Sequence, residues 1–414
     1  MERLHVKYLL AGGGVASAAA AEAIRELDRT EPVLLVAQEI SRPYDRGPLS
    51  KAYLRRETDK PRLVTRSPAW FSHNAVALKT GRRLVQLNTA RTAAHLDDGT
   101  EVLFDRLLLA TGHTPKPLDI PGGTLANAFH LKTIADADRL HHAIEISRTA
   151  GHNRATVIGA GLLGVEVAAS LAQIGMHVDL VQSGQTVWPK LVGEQAGRFL
   201  GRRLQRSGVK ILAGRRATRL EGDGRVQRVI LDDDSVVPAD FVVAAVGTRF
   251  GRELLRNTPI AAEHAILTDA AGRTNVPNVY AAGDCAAVFD GRFGKHRIAS
   301  HWEHARVTGR ICGLNMAGGR AAYDSVTHFT SEVAGLTVHV WGEARFVDHR
   351  LLRGNALSDD GHFAEIGVAA DGRVCQVIAV GRENEHDAFR RLVEDRTQTT
   401  DAAEAIKDPT VSLW

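Results

Sequence analysis

The sequence predicts an α/β chain with two repeated strand–turn–helix units built on parallel sheets, followed by a smaller α+β region. Three observations carry this expectation. Glycine-rich turns at Gly12-Gly13-Gly14 and at Gly159-Ala-Gly161-Leu-Leu-Gly164 each follow an apolar run and precede an alanine-rich one, and they stand about 150 residues apart. Prolines 115, 117 and 121, the last followed by Gly122-Gly123, forbid regular structure between them and mark a crossing from one unit to the next. From Thr327 onward the pattern changes to short strands near Thr337–Trp341, His362–Val368 and Arg373–Val380, with helices near Asp387–Arg396 and Thr400–Ile406. At 414 residues the chain is long enough for two or three cores.

In the first unit an apolar strand, Val6 to Ala11, meets the turn, and a helix runs from Ala18 to Leu27. Gly12 permits the tight turn. Gly14 lets the backbone approach a pyrophosphate, which then sits at a helix N-terminus where unpaired N–H groups favour negative charge. Ser17 takes the third glycine position, small enough for close helix–strand packing. A second strand, Val33–Ala37, leads to Glu39, 27 residues after Gly12, where a carboxylate can accept bonds from an adenosine ribose. Taken alone, this turn fits a chance glycine loop about as well as a dinucleotide site.

The second turn is a complete G-x-G-x-x-G between a strand and a helix, and it weighs heavily towards a second dinucleotide. Its residues are Gly159, Gly161, Leu162, Leu163 and Gly164, with Glu166 two residues on. The strand from His177 ends at Gln182, 23 residues after Gly159, where an amide can bond a ribose hydroxyl without repelling a 2′-phosphate. Lys190 is the only cation the sequence places nearby, so the reading leans to NADH with NADPH allowed. A buried strand from Phe241 to Gly247 closes this unit. Together the two turns predict two Rossmann-like dinucleotide-binding domains plus a smaller C-terminal α+β domain.

The segment Arg42-Pro-Tyr-Asp-Arg46-Gly-Pro-Leu-Ser-Lys51 resembles the R-P-Y-D-R-P-P-L-S-K run of ferredoxin-reductase-type flavoproteins, with Gly47 in place of a proline. That family contains rubredoxin reductases, reductase components of ring-hydroxylating dioxygenases and apoptosis-inducing-factor-like proteins, and it has the fold of glutathione reductase. Other runs resemble its motifs: Ala110-Thr111-Gly112, Phe129 to Leu140, Thr274 to Ala286 with Gly283-Asp284, and Arg297 to Arg310 with Trp302. The resemblance implies FAD in the first cradle. Arg46 belongs to the segment that wraps it, Ala110 to Gly112 pass beside it, Asp284 bonds its ribityl chain, a following helix N-terminus faces its pyrophosphate, and Trp302 stands by the isoalloxazine. It implies NADH or NADPH in the second cradle, and a Lys51–Glu166 pair near flavin N5, with Lys51, Glu166 and Trp302 as the functional trio. Domains are then expected at 1–114 with 248–326 (FAD), 115–247 (NAD(P)H) and 327–414 (interface). Thr330, in His328-Phe-Thr-Ser-Glu332, replaces an aromatic residue that in relatives covers one flavin face.

The implied activity is transfer of electrons from nicotinamide through flavin to a one-electron acceptor such as a [2Fe-2S] ferredoxin or a rubredoxin. Alternatives are an apoptosis-inducing-factor-like signalling flavoprotein and a quinone or oxygen reductase. Cys285, Cys312 and Cys375 are odd in number and form no C-x-x-C, and the first 284 residues contain none, so no thiol relay or metal site is expected. The five cations Arg292, Lys295, Arg297, Arg306 and Arg310 around Trp302 suggest a surface that steers an acidic partner. A net charge of +4 with scattered arginine pairs does not suggest nucleic-acid binding. No apolar run reaches the ~18 residues a membrane span needs, and a cytoplasmic location is the default expectation.

Overall fold

The computed structural model describes residues 2–357, 361–400 and 403–413, and every statement below, counts included, concerns those residues. Two compact units divide the chain: one takes residues up to Arg46, Lys60–Thr114 and Thr248–Ser325, and the other takes Gly47–Asp59, Pro115–Gly247 and the chain from Val326.

The first unit is organised by a seven-stranded sheet. Strands Val76–Thr80, Val33–Ala37, Arg3–Ala11, Glu101–Leu109 and Val279–Ala281 lie side by side and parallel. Register aligns Ala11 with Val36 and Leu109, and Leu109 with Ala281, so these strands end together. Because both faces are covered, the strands are near-continuous apolar runs, with Leu9, Leu10, Leu107, Leu108 and Leu109 fully buried.

The crossover helix Val15–Leu27 covers one face. Against it lies Trp302–Met316, which approaches through Gly309 and Gly313, four residues apart. A Cβ at Gly309 would stand 2.2 Å from the Ala16 carbonyl oxygen, and one at Gly313 2.3 Å from that of Ala20, so only glycine permits this contact. One expectation is corrected here. No helix directly follows Asp284; a short 3₁₀ turn, Gly283–Cys285, runs straight into the strand Ala286–Asp290, and the next helix is Trp302–Met316. Ala286–Val288 pair with Ile266–Thr268, so the backbone there is committed to a sheet.

The second unit repeats the plan on a five-stranded sheet, with Arg154–Ile158 between His177–Gln182 and Phe241–Ala244, all parallel. Its C-terminal part is an antiparallel five-stranded sheet. The central strands Leu336–Gly342, Val374–Val380 and Phe363–Val368 lie within a residue or two of their expected bounds. Both edge strands, His328–Val333 and His349–Gly354, go unannounced in the sequence. An edge strand buries only part of one face and keeps polar side chains, which weakens the apolar alternation that marks a strand. Helix His386–Glu394 covers this sheet, and of the expected helix Thr400–Ile406 the described part is Ala403–Lys407; residues 401, 402 and 414 lie outside the described residues.

Candidate functional site

In each parallel sheet the expected motifs emerge from adjoining strand ends, the place where a turn can present backbone N–H groups to a ligand. In the first unit, Gly12–Gly14, Ala110–Gly112 and Gly283–Asp284 leave three neighbouring strands. The Gly12 N–H donates to the Val36 carbonyl (2.9 Å), that of Ala110 to Ala11 (2.8 Å), and that of Ala282 to Leu109 (3.0 Å). Thr308 then fixes the last turn by accepting from the Gly283 N–H at 3.0 Å. In the second unit the Gly159 N–H donates to Val181 (2.8 Å) and that of Ala245 to Ile158 (2.8 Å), which brings Gly159–Gly164, Gln182 and Gly247 together in the same way.

Whether these turns suit a dinucleotide can be read from the space around them. Gly12 has φ +137°, and a Cβ there would lie 2.1 Å from the Ala110 carbonyl oxygen; Gly159 has φ +106°, with its Cβ 2.5 Å from that of Ala245. The first glycine of each turn is therefore pressed against the next strand. Gly14 and Gly161, by contrast, have nothing within 4 Å of a Cβ, and each is the N-cap of a helix that lacks both a side-chain cap and a first-turn carboxylate. Other long helices are not left bare. Thr133 and Asp136 form a capping box on Ile134–Thr149, His301 caps Trp302–Met316, and Glu365 accepts from the N–H groups of Gly193 (2.8 Å) and Ala196 (3.1 Å) at the start of Glu194–Arg206. Two open N-termini among capped ones fit anionic phosphates, whose charge the helix dipole and free N–H groups favour.

Beside the first cradle, Glu39 is held by the loop that follows it. Tyr44 donates to Oε2 (2.7 Å), Arg46 donates to Oε1 (2.6 Å) and to the Tyr44 hydroxyl (3.0 Å), and each carboxylate oxygen keeps a lone pair for a ribose. Tyr44, which the motif reading passed over, is thus what sets Glu39. Ser17 is fully buried with its hydroxyl unpartnered, a small residue filling the third position.

Beside the second cradle, Gln182 is buried and its Oε1 has no partner. Lys190 is exposed, but it is not the only cation here. Parallel pairing sets Gln182 opposite Ala213, so the Arg215 N–H reaches the Gln182 carbonyl at 2.9 Å while its side chain pairs with Asp233 (2.7 Å). This correction was invisible in sequence, where Arg215 lies far beyond the strand end. Trp188, fully buried with φ +52°, donates its backbone N–H to the Ala160 carbonyl (2.9 Å), within the glycine turn.

Lys51 and Glu166 do meet: Nζ lies 3.2 Å from Oε1. Trp302 starts its helix 41 % exposed, with the Arg306 guanidinium 5.9 Å from its ring centroid. The cation patch expected around it is largely used up internally. Arg297 is buried on Asp290 (2.6 Å), Arg306 pairs with Glu303, Arg310 with Glu26 and Arg292 with Asp324. Neighbouring His304 adds no charge, since burial, then His301 and Arg297, push its imidazole down to about 3. All three cysteines are free and buried, and burial raises each thiol, Cys375 to about 11.

A model of the pyridine nucleotide-disulphide oxidoreductase domain matches residues 6–309, and one of the reductase C-terminal domain matches residues 328–414. The chain belongs to the pyridine nucleotide-disulphide oxidoreductase family. Members of this family use FAD and NAD(P)H, in keeping with two open cradles. The ferredoxin–NAD(+) reductase component of the biphenyl dioxygenase system of Paraburkholderia xenovorans is 31% identical over 96% of this chain and 95% of its own. Among solved structures, the ferredoxin reductase for the CYP199A2 system of Rhodopseudomonas palustris superposes with a TM-score of 0.91 at 27% identity, covering 98% of each chain. The covalent putidaredoxin reductase–putidaredoxin complex gives 0.92 at 26%, covering 99% of this chain and 97% of that one. No helix is long and apolar enough to cross a membrane.

Proposed function

We propose that this oxidoreductase carries electrons from NADH, and less readily NADPH, through bound FAD to a small iron–sulfur protein of the ferredoxin or rubredoxin kind, in the cytoplasm. The observation that carries the reading is a pair of open helix-N-terminus cradles in a chain whose cysteines are all buried, which supplies two cofactors and no thiol to take the electrons as a pair. When bound, the flavin accepts two electrons as hydride from the nicotinamide and releases them one at a time.

The residues that would hold FAD are Gly12, Gly14 and Ser17, Glu39 with Tyr44 and Arg46, Ala110 to Gly112, and Gly283-Asp284. Those that would hold the nicotinamide nucleotide are Gly159 to Gly164, Gln182, Lys190 and Gly247. Open N–H groups at Gly14 and Gly161 receive the phosphates, and the two strand-end side chains Glu39 and Gln182 receive the riboses. As the sequence resemblance implies, Lys51 would offer a positive charge to the flavin ring, Glu166 would fix that lysine, and Trp302 would stand beside the ring. The division into an FAD domain (1–114 with 248–326), a nucleotide domain (115–247) and an interface domain (327–414) is part of the same proposal.

The test is anaerobic mixing of the yellow protein with NADH or NADPH while the flavin absorbance is followed. Rapid bleaching by NADH and turnover with a [2Fe-2S] ferredoxin are expected. A lasting long-wavelength charge-transfer band after slow bleaching would instead mark a signalling flavoprotein, and turnover with quinone alone would displace the protein acceptor.

A further inference from the structure

Glu166 accepts three donors from two separate stretches of chain, Ser50-Lys51 and Ser331. Ser50 donates to Oε2 at 2.5 Å, while Ser331 (2.7 Å) and Lys51 (3.2 Å) share Oε1. Both serines are buried, and neither hydroxyl has another acceptor. Their bonds are short, as expected where a hydroxyl meets a carboxylate, and the lysine bond is the longest of the three. The carboxylate is thus fixed by the hydroxyls and the ammonium is placed by the carboxylate.

Ser331 lies on the edge strand His328–Val333, within the reductase C-terminal match, whereas Lys51 and Glu166 belong to the oxidoreductase match. The strand is anchored to the same stretch a second time. Glu332 pairs with Arg55 (3.3 Å), Arg55 donates to the Ser170 hydroxyl (3.2 Å), and Ser170 donates to the Ser50 carbonyl (2.7 Å). Thr330, whose departure from the family's aromatic residue drew notice in the sequence, is exposed, and the buried neighbour beside it makes the contact.

We propose that Ser331 is a positioning residue for electron transfer: by holding Glu166 Oε1 it sets how closely the Lys51 ammonium is drawn to the carboxylate, and so how much positive charge remains for the flavin. The proposal rests on the reading of function given above. Without the Ser331 hydroxyl, Oε1 serves Lys51 alone, the ammonium is more fully neutralised, and reduced flavin is less favoured.

The experiment compares the flavin midpoint potential and the anaerobic reduction by NADH in the wild type, Ser331→Ala, Ser331→Thr, Lys51→Met and Ser331→Ala/Lys51→Met. Ser331→Ala is expected to lower the potential and slow the limiting rate about tenfold, with the apparent NADH dissociation constant held within about twofold. Ser331→Thr, which keeps the hydroxyl, should restore both, and Ser331→Ala should change neither in the Lys51→Met background because the effect runs through the lysine. A wild-type potential and rate in Ser331→Ala overturns the inference alone, as does an equal loss when Lys51 is already absent. A chain that binds no flavin, or whose flavin NADH does not reduce, overturns the reading of function and the inference with it.

Discussion

The two cradles share a backbone plan and differ in the side chains around it. Both begin with a positive-φ glycine pressed on a neighbouring carbonyl and both present an open helix N-terminus. At the third position the first carries Ser17, buried without a hydrogen-bond partner, while in the second a Cβ on Gly164 would lie 1.8 Å from the Gly159 carbonyl oxygen. At the strand end the first carries a carboxylate braced by Tyr44 and Arg46, and the second an amide whose oxygen is bonded to nothing. On the assignment proposed above, the braced carboxylate suits a resident ligand held in one pose, and the uncommitted amide suits a nucleotide that must come and go.

The largest effect should come from Gly164→Ala. The obstructing atom is backbone, so the turn itself must move; such overpacking costs about 1–3 kcal/mol and disturbs the N–H groups that meet the phosphates. NADH binding measured by flavin reduction is expected to weaken about a hundredfold or more, with FAD retained. Ser17→Gly, the reciprocal exchange, should alter FAD content little. Equal damage from both would mean that the third positions do not differ.

Glu39→Ala comes next. It removes the acceptor for a ribose and the anchor of Arg46 and Tyr44 together, and the loss of hydrogen bonds to a charged group, about 1.5–3 kcal/mol, corresponds to roughly tenfold to hundredfold weaker FAD binding. Equilibrium dialysis of the yellow protein, with released FAD read by its fluorescence, would measure it; unchanged retention would take Glu39 out of the FAD site.

These contrasts show where the sequence was legible. Turns and strand ends could be read because each depends on residue types at fixed local spacing, whereas the Lys51–Glu166 pair was implied only by the family resemblance of the two motifs that carry it. Arg215, Trp188, Tyr44 and Ser331 could not be, because what brings each to its partner is strand register or a returning loop. The two missed edge strands failed for another reason, since half-solvated strands such as His349-Arg-Leu-Leu-Arg-Gly354 keep little apolar alternation. Gly309 and Gly313 were readable in principle: two glycines four apart in a helix signal a close helix–helix contact. At Trp302 composition shows five cations, but not that Arg292, Arg297, Arg306 and Arg310 each pair with a carboxylate, which only the fold determines.

Gln182→Glu sharpens the comparison further by giving the second strand end the carboxylate of the first. A glutamate there repels a 2′-phosphate, and Arg215, already paired with Asp233, does little to offset it. The ratio of NADPH to NADH specificity constants is expected to fall about tenfold or more, chiefly through KM for NADPH. A ratio that does not move would show that this position does not read the ribose.

The smallest effect lies at the far ends of the two crossover helices. The second ends on backbone bonds, with Gly175 at φ +84° donating to the Ala172 carbonyl (2.9 Å), and on the Arg148 guanidinium, which donates to the Ile174 carbonyl. The first ends at Asp28, whose carboxylate accepts from Tyr8 (2.8 Å), Lys7 (3.1 Å) and the N–H groups of Glu31 (3.1 Å) and Thr30 (3.3 Å). Burial alone would raise its pKa, but those donors outweigh it and hold the carboxyl well below the usual carboxylate range; burial and the same bond push Tyr8 up to about 12. Because the folded-state pKa is depressed, the stability this group adds is present above its unfolded value of about 3.9 and is lost as pH falls through the folded one. Asp28→Asn should therefore lower stability by about 1–2 kcal/mol at pH 7, a few degrees in melting temperature, and the gap to the wild type should hold down to about pH 4 and close below it. A gap that stayed constant from pH 7 to pH 2 would mean that Asp28 acts through packing and not through its charge.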